Sequence, residues 1–380
     1  MQLTKYKLGD LIVQRREKNK GYDLPIRGVS REGFIKPKVE EADTSIYNVF
    51  YMNDFVFNPA RMELNSIALN LDLDKALCSS LYEVFYVKDE NVVLPEFLNL
   101  HIKRDEFARH CDYIGLGSAR EYCRFANIAD FDIKIPPIEV QREIVQADRQ
   151  IKRRMRLNEQ MIKKLEATAQ ALYRKTFVDN IDKENLPEGW NFSTLGEVFD
   201  ITIGRTPPRA EEKWFRRETD KENNFPWVSI ADMNNGMYVL DTRERLTKEA
   251  VDWFKIPIVP PQSVLLSFKM TVGRVCITTE TTLSNEAIAH FVFKDNTQIR
   301  EYLYMFLKNI DYKTIGSTSS ITEAINTNMI KTMLIIMPSD DVTQKFHEQL
   351  LPVFSAIYLK QKENEKLTEL QSLLLAKMGQ

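Results

Sequence analysis

Several residue groupings in this chain have the types that chemistry needs, and the catalytic ones fail on spacing. Gly115-Leu116-Gly117 supplies two glycines of a dinucleotide loop, without the third or a suitable strand before it. It reads as a plain loop. No Walker A run occurs, so the chain itself is not expected to hydrolyse a nucleotide. The pairs in Ile135-Pro136-Pro137-Ile138 and Val259-Pro260-Pro261-Gln262 lack the Asn or Asp and the aromatic that flank such a pair in amino-methyltransferases. They read as strand ends or turns. His101, His110, His290 and His347 are scattered, and His110-Cys111 with Cys123 has no fourth ligand at a zinc spacing. The carboxylates form no pattern distinct from a solvated surface. These absences point away from a catalytic centre and leave binding as the chemistry to look for.

Basic and aromatic residues gather in turns. Arg27, Arg31, Lys36 and Lys38 flank Gly28 and Gly33, and Asn58-Pro59-Ala60-Arg61 closes a strand-like run. Ser118 and Arg120, with Arg124 nearby, follow the double glycine. Further on, Arg205, Thr206 and Arg209 lead into Lys213-Trp214-Phe215-Arg216. Lys269 and Arg274 bracket Gly273, and residues 314–322 are rich in Ser and Thr, among them Ser317 and Thr318. Lys and Arg hold phosphates, Arg reads guanine edges, and Asn reads adenine. These side chains are the candidate contacts to double-stranded DNA. Taken singly, each is more simply a solvated loop charge. A basic run, Arg149 to Arg156, lies on a helix, where such runs usually face water.

Composition bounds the reading. At 380 residues, 43% hydrophobic and 28% charged, the chain fits a globular protein of two or three domains. A net charge of −2 argues against indiscriminate coating of nucleic acid, which needs many cations, but permits a local basic groove. Four cysteines without paired spacing fit a reducing, cytoplasmic setting. The first six residues hold no apolar signal core, and no apolar run is long enough for a bilayer, so no membrane partner is expected.

The elements that would position these groups repeat once. Lys7-Leu8-Gly9-Asp10 returns as Thr194-Leu195-Gly196-Glu197, and the stretch from Pro136 returns without a gap from Pro338. Two α+β domains are expected, residues 1–138 and 179–339, the second entered by a linker at 179–189. Residues 47–56 and 81–87 read as strands in the first, and 264–268, 275–279 and 289–293 in the second. Each domain precedes a long helix, residues 139–178 and 340–380. The first contains neither Gly nor Pro and would be roughly 60 Å long. Its heptad seam holds Ile144, Ile151, Met155, Ile162, Leu165 and Leu172, interrupted by Asn158. The second carries Phe346, Leu350, Val353, Leu367 and Leu374, and its Pro352 predicts a kink or a late start. A pseudo-two-fold would make the helices antiparallel within one molecule; parallel pairing between chains is the alternative.

In order and duplication these pieces resemble the specificity subunit of type I restriction–modification systems. Phe57-Asn58-Pro59-Ala60-Arg61, Ser66-Ile67-Ala68 and Gly117-Ser118-Ala119-Arg120 look like one kind of target-recognition domain. Leu186-Pro187-Glu188-Gly189-Trp190, Leu195-Gly196-Glu197, Gly204-Arg205-Thr206-Pro207 and Phe225-Pro226-Trp227-Val228 look like another. Residues 136–144 and 165–172 are similar to the ends of the family's helical region. Departures are Gly204-Arg205 where Gly-Gly is usual, and the lack of Glu-Gln at the entry to the second helix. The resemblance implies a DNA-binding subunit for phage defence, with no chemistry or cofactor of its own. Each recognition domain would read half of an asymmetric bipartite site. The helices would act as ruler and docking surface for two modification (methyltransferase) subunits. S-adenosylmethionine, ATP and Mg²⁺ would belong to those partners and to restriction/translocase subunits. Alternatives are a coiled-coil scaffold that does not read DNA, a specificity subunit of a related non-type-I modification system, and a methyltransferase-like enzyme acting alone.

Overall fold

The two Leu-Gly-acid motifs are one joint built twice. The computed structural model describes residues 3–37, 43–115, 122–179, 181–293, 297–312 and 326–378. Strand Thr4–Lys7 runs into the one-turn helix Leu8–Leu11 and then strand Ile12–Arg15. The second copy is Asn191–Thr194, Leu195–Val198 and Asp200–Ile203. In each, the acid of the motif turns back to accept from the backbone: Lys7 N–H donates to Asp10 at 3.1 Å and Thr194 N–H to Glu197 at 2.7 Å. That satisfies an amide the short helix leaves unpaired. Leu8 and Leu195 are fully buried. The glycines are needed for close approach. A Cβ at Gly9 would sit 3.0 Å from the Cβ of Ala129, and one at Gly196 3.0 Å from the Cβ of Lys331.

Each joint also brings the first strand of a unit to its last. Thr4–Lys7 pairs antiparallel with Asp132–Ile135, and Asn191–Thr194 with Leu334–Met337. Leu8 N–H donates to the Phe131 carbonyl at 2.8 Å, and Leu195 N–H to that of Met333 at 2.9 Å. Pro136 then ends the first closing strand, because proline cannot donate to a ladder. A long helix follows each: Ile138–Phe177 and Asp340–Lys377.

The chain forms two compact units. The first comprises residues 1–154 and 367–380. Its main sheet is antiparallel, in the order Ile12–Arg15, Glu83–Val87, Phe55–Phe57, Ile67–Leu69. Phe55 stacks on Phe85 at 4.7 Å in its core. The expected strand at 47–56 is two strands, Asn48–Tyr51 and Phe55–Phe57, in different sheets. Asn53 breaks the run with φ 64°, a conformation asparagine tolerates.

The second unit comprises residues 155–366. Its five-stranded sheet runs Asp200–Ile203, Ile288–Val292, Val264–Ser267, Val275–Thr278, Tyr238–Val239. A four-stranded sheet runs Phe215–Arg217, Glu244–Thr247, Asn224–Val228, Leu283–Ser284. Helix Arg300–Asn309 packs its Tyr304 edge-on to Phe354 of the second long helix.

Within each unit the segments of the two long helices run antiparallel. In the first, Val145 shares a core with Met378 while Gln371 donates to Asp148 at 2.7 Å. In the second, Asn158 donates to Asn364 at 2.9 Å and Phe177 meets Phe346 edge-on at 4.7 Å. Of the expected seam, Ile151, Phe346 and Leu350 are buried. Ile144, Met155, Ile162, Leu165, Leu172, Val353, Leu367 and Leu374 are half-buried, as two helices alone shelter a seam only in part. Phe346 and Leu350 join Phe354 and Ile357 in the second unit's core, so this stretch is domain packing as well as helix pairing. Pro352 neither delays this helix nor ends it. It lies on the exposed face, and the buried stripe on both sides holds the helix through it.

Gly9→Val and Gly196→Val should each lower stability by about 1–3 kcal/mol, because a branched side chain must prise the joint apart. Chemical denaturation reads this directly. Wild-type midpoints for both variants would mean that the close approach contributes nothing.

Candidate nucleic-acid interface

In the first unit, strand Phe55–Phe57 stops at Asn58, whose side chain accepts from Ala60 N–H at 3.1 Å. That cap opens the 3-10 stretch Pro59–Leu64, and Arg61 interrupts it with φ −141°. Cys123 N–H donates to the Pro59 carbonyl at 3.0 Å, which brings Arg124 to the same turn. Opposite stands the hairpin of Gly28–Ser30 and Gly33–Ile35, with Arg27 N–H held by the Leu77 carbonyl at 2.8 Å. Between them lies a cleft of about 440 Å³. Arg27, Lys36, Asn58, Arg61 and Arg124 all line it, with no carboxylate among the lining residues. Arg124 pairs at its rim with Glu83 at 3.2 Å and covers the Tyr122 ring at 5.2 Å. Arg31 is not in the cleft; its carbonyl accepts from Lys103 Nζ at 2.8 Å. Sequence reasoning missed Tyr47, Tyr82 and Tyr122, which also line the cleft. Cations around aromatic and apolar walls can hold phosphates at the rim and take a base face or edge inside.

In the second unit, Gly204 sets the loop. A Cβ there would overlap the Ser284 carbonyl at 2.2 Å, so only glycine lets the chain pass this close. Arg205 follows, donating to the Phe254 carbonyl at 2.9 Å while its own carbonyl accepts from Trp227 Nε1 at 3.2 Å. Arg209 lies over Phe215 and Trp227, 4.4 and 4.6 Å from the ring centroids, and pairs with Glu244 at 2.8 Å. Lys213 covers Trp214 at 4.4 Å, and Trp214 meets Phe254 edge-on. Arg205, Arg209 and Lys213 therefore share one basic–aromatic patch, pre-oriented by ring stacking and ion pairs. Thr206 adjoins it, donating to the Glu286 carboxylate. Arg216 is spent on the Lys213 and Phe215 carbonyls, both at 2.8 Å, and Arg274 on the Ile230 carbonyl at 2.7 Å. Lys269 covers its neighbour Phe268. Lys38, Ser118, Arg120, Ser317 and Thr318 lie outside the described residues.

The groups that first suggest catalysis have structural partners. His290 is buried between Thr202 and Ser284, and burial pushes its imidazole down to about 4. His101 is likewise pushed to about 4, by burial and then by Arg104. His110 contacts the Asn127 carbonyl at 3.0 Å, and Cys111 and Cys123 are free and buried in the core of the first unit. Glu301, fully buried, takes both Arg300 and His347, the latter at 2.8 Å. That pairing ties helix Arg300–Asn309 to the second long helix. Among the described residues no three His, Cys, Asp or Glu are placed to hold a metal. None of their helices is long and apolar enough to cross a membrane.

A family model described as the type I restriction modification DNA specificity domain matches residues 8–167 and again residues 187–369. The chain is 22% identical over 380 residues to the type I restriction enzyme HindI specificity subunit of Haemophilus influenzae, covering 81% of each chain. It is 26% identical over 196 residues to the MjaIX specificity subunit of Methanocaldococcus jannaschii, covering 50% of this chain and 43% of that one. The fold is similar to that of a type I restriction–modification S subunit from M. genitalium, with TM-score 0.58 and 14% identity over 100% of this chain and 96% of that one.

Arg61→Ala in the cleft and Arg209→Ala in the patch should each weaken binding to the cognate duplex by about 1–3 kcal/mol. Arg31→Ala, outside the cleft, should leave it unchanged. Fluorescence anisotropy at fixed salt reads all three. Equal affinities across the set would place the interface on other loops.

Proposed function

Because the chain belongs to the type I restriction–modification DNA specificity family, we propose that its two units read the two unlike halves of one DNA site. As a specificity subunit it recognises DNA and is not itself the catalyst. The observation that carries the finer reading is the pairing of one repeated joint with two unlike sheets. Strand, short helix, closing strand and long helix are duplicated, whereas among the described residues the first unit holds a four-stranded sheet and two two-stranded ones between them and the second a five- and a four-stranded one. A mechanical part built twice and a reading part built differently suit an asymmetric bipartite site with an unread spacer. Each unit contributes one basic–aromatic surface, the cleft around Arg61 and the patch around Arg209. The full site is then not a palindrome.

In this reading the long helices measure the spacer and carry two modification subunits, which supply S-adenosylmethionine chemistry. Restriction subunits that use ATP and Mg²⁺ join the same complex. The repeat aligns Leu157 with Leu359, and both leucines are exposed on their helices. Equivalent apolar positions on two helices suit two copies of one partner.

The ruler is tested by lengthening both helices. Tyr173 and Phe177 belong to the core of the second unit, so an insertion near Leu172 would disrupt that core. Four residues added after Arg154 and four after Lys366 fall at the borders between units. They add about 6 Å at 1.5 Å per residue. On DNA rising about 3.4 Å per base pair, the spacer should lengthen by one or two base pairs, with both half-sites unchanged. Methylome sequencing decides this, and an unchanged spacer at full activity would show that the helices do not measure it. Leu157→Asp or Leu359→Asp should each reduce the co-purified methyltransferase from two copies to one, by native mass spectrometry. Two retained copies in both variants would move docking elsewhere.

A further inference from the structure

Two buried glutamines join the long helices to the reading units, each bonded to backbone groups outside the other long helix. Gln361 sits where the buried stripe Phe346, Leu350, Phe354, Ile357 ends. Its Oε1 accepts from Tyr238 N–H at 3.1 Å, and its Nε2 donates to the Asn235 and Tyr238 carbonyls at 3.1 and 3.4 Å. Tyr238 is in the edge strand of the five-stranded sheet, so the amide stands where a further strand would pair. Gly236 leaves the room: a Cβ there would lie 2.2 Å from Gln361 Nε2. In the first unit Gln141, fully buried, accepts from Leu94 N–H at 3.0 Å. It donates to the Val92 and Pro136 carbonyls, both at 2.9 Å.

We propose that Gln141 and Gln361 are positioning residues that fix the angle at which each reading unit leaves its long helix, and so fix the spacer length. Apolar packing is non-directional and permits rocking. A side-chain amide held by a donor and two acceptors of the backbone does not, because any rotation strands buried polar groups. Among the described residues, the glutamines' hydrogen-bond partners lie outside the candidate reading loops. Their loss acts on spacing and leaves base choice alone.

The proposal rests on the bipartite reading above, and the test separates the two. Full-length Gln141→Met and Gln361→Met, each co-expressed with the modification subunit, are compared with wild type by methylome sequencing. Methionine keeps the volume and removes the hydrogen bonds. Each variant should add a class of methylated sites with a spacer one base pair longer or shorter and the same half-sites. Hydrogen exchange at Tyr238 N–H should be several-fold faster in Gln361→Met. Gln361→Glu keeps the accepted bond but turns a carboxylate oxygen onto the two carbonyls; it should broaden the spacer at least as much as methionine does. A purely structural role would lower the methylated fraction at an unchanged spacer. That outcome, with faster exchange at Tyr238, overturns the proposal. A wild-type motif in one part, seen before any variant, overturns the bipartite reading and the proposal with it.

Discussion

Each unit is closed by the ladder between its first and last strands, which is extended by one backbone hydrogen bond, from Leu8 N–H to Phe131 and from Leu195 N–H to Met333. The bond forms only if a glycine lets two short helices approach, and only if the first and last strands of the unit lie side by side. Once these ends are pinned, what lies between them is constrained only to start and finish at the base of a long helix. The sheets of the two units can therefore differ in strand number and order without disturbing the part that holds them. Pinned ends and free interiors explain why sequence similarity between the halves is confined to their beginnings and their exits.

Charge follows the same division. The net charge is slightly negative, yet cations concentrate where turns leave the sheets. No carboxylate lines the cleft, though Arg124 pairs with Glu83 beside it, whereas in the second unit Arg209 and Lys213 are both balanced, by Glu244 and Glu211. A cation without an acidic neighbour attracts phosphate at longer range, while one already paired gains less from any backbone contact and is held in a set orientation. In the proposed DNA-reading role the two units would thus divide attraction and orientation unequally.

The first long helix was legible because a stretch without Gly or Pro and with an apolar heptad has few alternatives, and the second because it repeats that heptad around a single Pro352. The repeated joint was legible because Leu, Gly and an acid recur at one spacing. The split at Asn53 was not, since the run around it is as β-prone as a single strand. Asn58, Arg61 and Arg124 could be picked out as turn-flanking polar residues. Tyr47, Tyr82 and Tyr122 could not, because an aromatic beside a strand reads first as core. Gln141 and Gln361 were invisible for the opposite reason: a glutamine on a polar helix reads as solvated, and burial is a property of the neighbours that tertiary structure brings.

The amide pair Asn158–Asn364 has a consequence for how such a chain can change over generations. An insertion between residues 148 and 158 of one helix alone cannot preserve both the Asp148–Gln371 and the Asn158–Asn364 bonds. One of these hydrogen bonds is then lost from a partly buried position. A lineage that lengthens this helix needs two compensating insertions, one in each helix, and every intermediate carries the penalty of the first. Exchange of a whole sheet between pinned ends meets no such barrier. Under the proposed bipartite reading, half-site sequence should therefore drift quickly among relatives, and spacer length rarely and in jumps.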